Sequence, residues 1–273
     1  MAIPNIFASN TAYVSVPNVT DCQSIIDAIV TLLTSTLAVA DRWVNSPSLT
    51  LTSPVDPDSG YFMQLVLSKI TATRMGFVVK DQNLNTVING EVVVTSGEAF
   101  KIVAGPKSLY CWGTSSSNFG GMTLVDPAPE APNAPSIVVF AKTSHNTGGG
   151  AQSFGNIPER WSAFGDSTGV GINATRNCGP WYPVNSGVLQ LYTAAGSAVY
   201  VPCAMCAIPS GLNPLFTGYG YQMIWGDSSI QIGSRIEVPI DDGVSAIFER
   251  PGYMAQMGVG FATQCVVILI RVG

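Results

Sequence analysis

The sequence predicts a mainly β protein, with an N-terminal α+β domain of one amphipathic helix on an antiparallel sheet and a C-terminal β-sandwich or jelly-roll-like domain. Three observations carry this. Short runs rich in Val, Ile and aromatic residues recur between Gly, Pro, Asp and Asn turn signals along most of the chain, which is the pattern of antiparallel strands. One stretch, Ile25 to Ala40, carries instead the apolar period of a helix. A third signal divides the chain: Asp126 to Pro135 holds four prolines in ten residues, which removes amide donors and favours an extended, stiff connection. At 273 residues the chain is longer than one hydrophobic core usually serves, so two domains are expected, 1–126 and 136–273, joined by a Pro-rich linker at 127–135. One large β domain is the alternative.

Taken in order, Thr20-Asp21-Cys22-Gln23 reads as a capping box, in which the Thr20 hydroxyl accepts from the Gln23 amide and the Gln23 side chain reaches back. Ile25, Ile26, Ile29, Leu32, Leu33 and Leu37 then fall on one stripe, so the helix docks that face on a core and ends near Ala40. Strands are expected at Leu49 to Val55, Tyr61 to Leu67, Gly76 to Lys80, Val87 to Thr95 and Ala99 to Val103. Tyr61 to Thr73 also fits a helix through Phe62, Leu65, Val66 and Lys69, since periodicity alone does not separate short apolar runs. Beyond the prolines, strands are expected at Ser136 to Lys142, Val188 to Thr193, Ala198 to Ala207, Ile230 to Val238, Val244 to Glu249 and Val259 to Val272. The Gly-rich region from Ser144 to Gly187 lacks periodicity, and a loop of that length is normally functional or ordered by a neighbour.

Composition narrows the function. Only 11% of the residues are charged, against about 25% in an ordinary soluble domain, while 47% are hydrophobic. Obligate interfaces are poor in charge at their centre, so such a surface is expected to be covered by other subunits. The net charge is -5, with nothing basic for a nucleic-acid backbone to meet. Ile25 to Ala40 is shorter than the roughly 20 residues of a bilayer span and contains Asp27 and several hydroxyls, so no membrane partner is expected. Met1 to Asn5 lacks the basic start and apolar core of a secretory signal, and without that context the Asn-x-Thr triplets at Asn18 and Asn173 are weak glycosylation acceptors.

Each string that imitates a site of chemistry lacks a partner. Phe164-Gly165-Asp166-Ser167 resembles the nucleophile block of GDSL-type serine esterases. That family places an Asp-x-x-His pair downstream, whereas the sole histidine here, His145, lies upstream, and a serine without a base is a weak nucleophile. Trp225-Gly226-Asp227-Ser228 repeats the string as a turn preference. Cys203-Ala-Met-Cys206 has the spacing of a redox dithiol or half a zinc site, but its neighbours read as strand and no second pair stands nearby. Asp56-Pro-Asp-Ser-Gly60 opens like a calcium loop, yet Leu67 occupies the place of the bidentate glutamate, so a turn is expected. Gly169 to Ala174 imitates a dinucleotide fingerprint without its strand and helix. No catalytic residue, metal site or cofactor is expected. Six cysteines stand at positions 22, 111, 178, 203, 206 and 265, and they read either as buried thiols or as late-formed disulfides. Cys22, Cys111 and Cys178 are the candidates for cross-links, because Cys203, Cys206 and Cys265 lie in apolar strands.

The opening Met1-Ala-Ile-Pro-Asn-Ile-Phe-Ala-Ser-Asn-Thr-Ala-Tyr13, the capped helix and the Lys80-Asp-Gln-Asn-Leu turn resemble the openings of structural proteins of tailed bacteriophage virions, from Met1 to about Thr95. The resemblance implies a non-enzymatic tail, neck or baseplate subunit, assembled in the host cytoplasm into a homo-oligomeric ring with other virion proteins as partners. The alternative is a carbohydrate- or receptor-binding module, with Trp112, Trp161, Trp181, Tyr182, Tyr219, Tyr221 and Trp225 as stacking platforms.

Overall fold

The computed structural model describes residues 11–57, 60–114, 121–124, 126–127, 137–140, 178–181, 201–207, 215–227, 230–241, 244–251, 256–257 and 266–273. Antiparallel strands with one short helix make up this part of the chain. The strands are β1 (Ala12–Val19), β2 (Val44–Ser46), β3 (Thr50–Thr52), β4 (Gln64–Thr71), β5 (Arg74–Lys80), β6 (Thr86–Val93), β7 (Glu98–Gly105), β8 (Ser108–Gly113) and β9 (Gly121–Leu124). They continue as β10 (Asp126–Pro127), β11 (Ile137–Phe140), β12 (Cys178–Trp181), β13 (Val201–Ala207), β14 (Leu215–Asp227), β15 (Arg235–Asp241), β16 (Val244–Glu249), β17 (Gln256–Met257) and β18 (Val266–Arg271). Three sheets result. The first runs β1-β7-β8-β9-β11, the second β2-β3-β4-β5-β6, and the third β12-β13-β14-β18-β16-β15 with β10 on β14 and β17 on β18.

The helix α1 spans Gln23–Thr31 and continues as one π-helical turn, Leu32–Thr36. Every residue of the expected stripe is buried, from Ile25 to Leu37. The ends differ from expectation. Asp21, not Thr20, accepts the Gln23 amide at 2.8 Å, because a carboxylate two residues back closes a shorter ring, and the Gln23 side chain reaches forward to Asp27. The helix stops before Ala40 because Thr34 and Thr36 donate their hydroxyls to the Val30 and Thr31 carbonyls, widening the last turn before Leu37 goes extended. The Trp43 amide and the Arg42 guanidinium then take the Leu33 and Leu37 carbonyls.

Alternation along the strands builds the main core. Leu65 and Leu67 of β4, Met75, Phe77 and Val79 of β5 and Val92 of β6 share one apolar cluster with Phe100 and Ile102 of β7, Leu109 and Cys111 of β8, Met122 and Leu124 of β9 and the isoleucines of α1. The N-terminal part is therefore a helix on two sheets rather than on one. The Tyr61 to Thr73 ambiguity resolves as strand, since β4 pairs on both sides, Leu65 with Leu51 and with Val79. The Trp43 indole donates to the Gly105 carbonyl at 3.1 Å and ties the start of the second sheet to the end of β7.

All six residues of β8 are buried. Leu109 and Cys111 enter the main core, while Tyr110 and Trp112 point to the opposite face, beside Val103 and Lys101 of β7. Lys101 pairs there with Glu249 of β16, so the third sheet lies on that side. Hydrogen bonding crosses the Pro-rich run in both directions: β10 joins β14 of the third sheet, and β11, expected in the second domain, joins β9 of the first. β13, β16 and β18 fall within expected strands, and β15 overlaps the one expected at Ile230 to Val238 but runs on to Asp241. The strand expected at Val188 to Thr193 and the loop from Ser144 lie outside the described residues, apart from β12 within that loop.

Candidate functional site

The densest polar arrangement among the described side chains sits between the first and third sheets. Lys101 projects from β7 on the face shared with Tyr13 of β1, because the register places Tyr13 opposite Val103 and Ser15 opposite Lys101. Glu249 projects from β16 opposite Arg235 of β15. The Lys101 Nζ stands 3.0 Å from Glu249 Oε1 and donates to the Tyr13 hydroxyl at 3.1 Å, while Arg235 Nε donates to Glu249 Oε2 at 3.0 Å. Glu249 is 4% exposed at its side chain, so both carboxylate oxygens are occupied by cations from different layers in a nearly dry setting.

Burial pulls the Lys101 ammonium down, but the hydrogen bonds to Tyr13 and Glu249 outweigh it and hold it above the ordinary lysine range. The hydrogen bond to Glu249 likewise raises the Arg235 guanidinium. Next to the cluster, Arg250 donates through Nη1 to the Ile230 carbonyl at 2.6 Å and fixes the segment before β15. The Arg271 guanidinium is lowered by burial. With both its oxygens engaged, Glu249 serves to hold two layers together.

Two cysteines proposed for cross-links are placed by the structure. Cys22 and Cys111 are free thiols, both 0% exposed. Cys22 Sγ donates to the Thr71 carbonyl at 3.2 Å, and its amide donates to Ala72, binding the helix start to the β4–β5 turn. Burial raises both thiols, Cys111 the more strongly. Both thiols are enclosed within this chain. Cys178 opens β12 opposite Ala207, and Cys203 and Cys206 lie in β13, a strand as the flanking residues predict. Cys265 is outside the described residues.

Of the other candidates, Asp56 forms a turn closed by the Gly60 amide on its carbonyl, and its carboxylate pairs with Lys107. Trp112 is 1% exposed and packs tilted at 40° against Tyr110, with ring centroids 6.1 Å apart, so it is a core ring and not a stacking platform. Trp181 lies in β12 and Tyr219, Tyr221 and Trp225 in β14. His145, Trp161, Asp166, Ser167, the Gly169 to Ala174 string, Asn173 and Tyr182 are outside the described residues. Asn18 is exposed in the irregularity of β1 at φ 50. Among the described residues no three His, Cys, Asp or Glu side chains gather to hold a metal, and no helix is long and apolar enough to cross a membrane.

Sequence reasoning missed the Lys101–Glu249–Arg235–Tyr13 cluster. The residues are separated by up to 236 positions, 249 minus 13, and no local spacing marks them. It also missed an open surface. The second sheet turns Val44, Thr50, Thr52, Val66, Val78, Ile70 and Val93 away from the core, with Val44 66% exposed. Arg74 and Glu91 on that face pair with each other. Val39 and Leu84 are exposed nearby in sequence, at 78% and 54%. No protein-family model, curated protein or solved structure matches this chain.

Proposed function

We propose that the chain is a non-enzymatic structural subunit of a tailed-bacteriophage virion, in the tail, neck or baseplate, that assembles as a symmetric homo-oligomer with other virion proteins as neighbours. The observation that carries this reading is the outward face of the second sheet. Strands β2 to β6 present valines, an isoleucine and threonines there, with Gln64 and Lys80 at one end of the face, and the Arg74–Glu91 pair neutralises itself, so the apolar part of the face suits burial against a protein surface. An 11% charge content extends the same tendency to the whole chain. The opening and the Lys80 to Leu84 turn, with their resemblance to virion proteins, support the particular setting.

In this reading the β12 to β18 sheet forms the core of a C-terminal sandwich or jelly-roll-like domain, and the halves are interlocked by β10 and β11 across the prolines. Negative-stain electron microscopy of the purified chain tests it. Closed rings with uniform diameter support the proposal, and a field of single small particles at high concentration opposes it. The alternative is a glycan- or receptor-binding module carrying aromatics on β12 and β14. Glycan-array binding by the intact chain would favour it over a purely structural role.

A further inference from the structure

The most exposed large apolar side chains among the described residues gather at one end of the second sheet. Val44, Thr52, Gln64, Lys80 and Thr86 form a continuous row across β2 to β6, each opposite the next. Beyond that row the chain enters β2, β3 turns into β4, and β5 turns into β6. Val39 lies in the short helical turn Val39–Asp41 that leads into β2, Val55 in the β3–β4 connection and Leu84 in the β5–β6 turn. With Val44 they are the four most exposed large apolar residues described, each at least 54% open to solvent. Leu84 is the least expected of them. Its φ of 64° lies in the left-handed region, where a Cβ crowds the following carbonyl oxygen and glycine fits best. Leu49 has a similar φ of 52°, but it packs against the main core.

Leu84 stays largely exposed, yet its backbone is pinned. Asp81 Oδ1 accepts the Asn83 and Asn85 amides at 2.9 Å, the Leu84 amide donates to the Asp81 carbonyl, and the Asp81 amide donates to the Asn85 carbonyl. A strained leucine held outward in this way is a fixed apolar knob, and backbone strain of this kind is kept where it serves a contact. The counterpart of the knob stands at the other corner. β2 and β6 are the two edges of the sheet, about 19 Å apart across its strand spacings, so Leu84 does not reach Val39 or Val44 of its own chain. A second copy, rotated by half a turn about the sheet normal and set end to end, brings each β5–β6 corner against the other's β2 corner. Apolar residues then meet apolar residues, and Asp81 in the turn of Leu84 meets the exposed Arg42 that precedes β2. A contact that repeats itself in this manner is isologous, each pairing occurring twice. We propose that this end of the second sheet is a self-complementary docking surface for a second copy of the chain, with Leu84 of each copy seated on Val39 and Val44 of the other. This surface, which presupposes the proposed assembly of like chains, adds an end-on contact to the outward face.

Photo-cross-linking of the full chain tests the end-on contact. A benzophenone amino acid replaces Leu84 in one variant and Val44 in another, and each is mixed with isotope-labelled chain so that cross-links between copies carry mixed mass. Mixed-mass cross-links are expected from position 84 to residues 39–44, and from position 44 to residues 81–85. Leu84→Gly relieves the left-handed strain, so it is expected to hold or raise the melting temperature while reducing the cross-link from position 44 severalfold. An undiminished cross-link from position 44 in the Leu84→Gly chain overturns the knob. An oligomeric chain whose cross-links from position 84 all go elsewhere overturns the end-on contact and leaves the assembly reading standing. A chain of monomer mass with no mixed-mass cross-link overturns both.

Discussion

Cys22 and Cys111 show how burial decides the chemistry of a residue type that the sequence leaves open. A thiol must be exposed and ionised to react, and both are enclosed and raised by desolvation. Native chain treated with a thiol-alkylating reagent should leave these two unmodified until denaturant is added, as read by peptide mass spectrometry. Modification of Cys111 in the native state would show that β8 is not enclosed. Gly121 makes a second residue-scale prediction. A Cβ there would lie 2.3 Å from Trp112 Cδ2 and 2.5 Å from the Cys111 carbonyl, and neither a packed indole nor a strand backbone can give way cheaply. Gly121→Ala should destabilise the chain by about 1–3 kcal/mol in denaturant unfolding. A loss below about 0.5 kcal/mol, the range of ordinary surface changes, would contradict that packing.

At the scale of elements, α1 owes its position to three ties at its N-terminus: Asp21 on the Gln23 amide, the Asp21–Lys69 pair at 2.5 Å, and Cys22 on the β4–β5 turn. The hydrogen bond from Lys69, then that from Gln23, lowers the Asp21 carboxyl. A carboxyl lowered on folding contributes stability above its unfolded value, and the contribution disappears as pH falls through the lowered folded value. Asp21→Ala should therefore lower the melting temperature at neutral pH and narrow the gap to the unmodified chain in acid. An equal deficit at both pH values would show that the Asp21 charge does not stabilise the helix start. The apolar stripe of α1 was legible because burial imposes a 3.6-residue period, and the strands from β4 to β7 because half-burial imposes a period of two. The true cap was not legible, because Thr20 and Asp21 are both good caps and the choice rests on Lys69, 48 residues away. β8 was invisible for a different reason: buried on both faces, Ser108 to Gly113 shows no alternation. The Glu249 cluster had no local signal at all, since its members come from four strands.

For the whole molecule, the proposed assembly requires that the charge-poor surface be covered by neighbouring chains. The outward face of the second sheet can be altered without disturbing the core, because Ile70 and Val93 are exposed there and exposed positions tolerate substitution within about 0.5 kcal/mol. Ile70→Lys combined with Val93→Glu should leave the unfolding transition in place and reduce the assembled mass. Unchanged mass in this variant would move the interface to another face. The most direct measurement is the mass of the purified, unmodified chain by light scattering across a wide concentration range. A homo-oligomer should show a discrete multiple of 28.7 kDa that persists on dilution. A mass of 28.7 kDa at every concentration would contradict it.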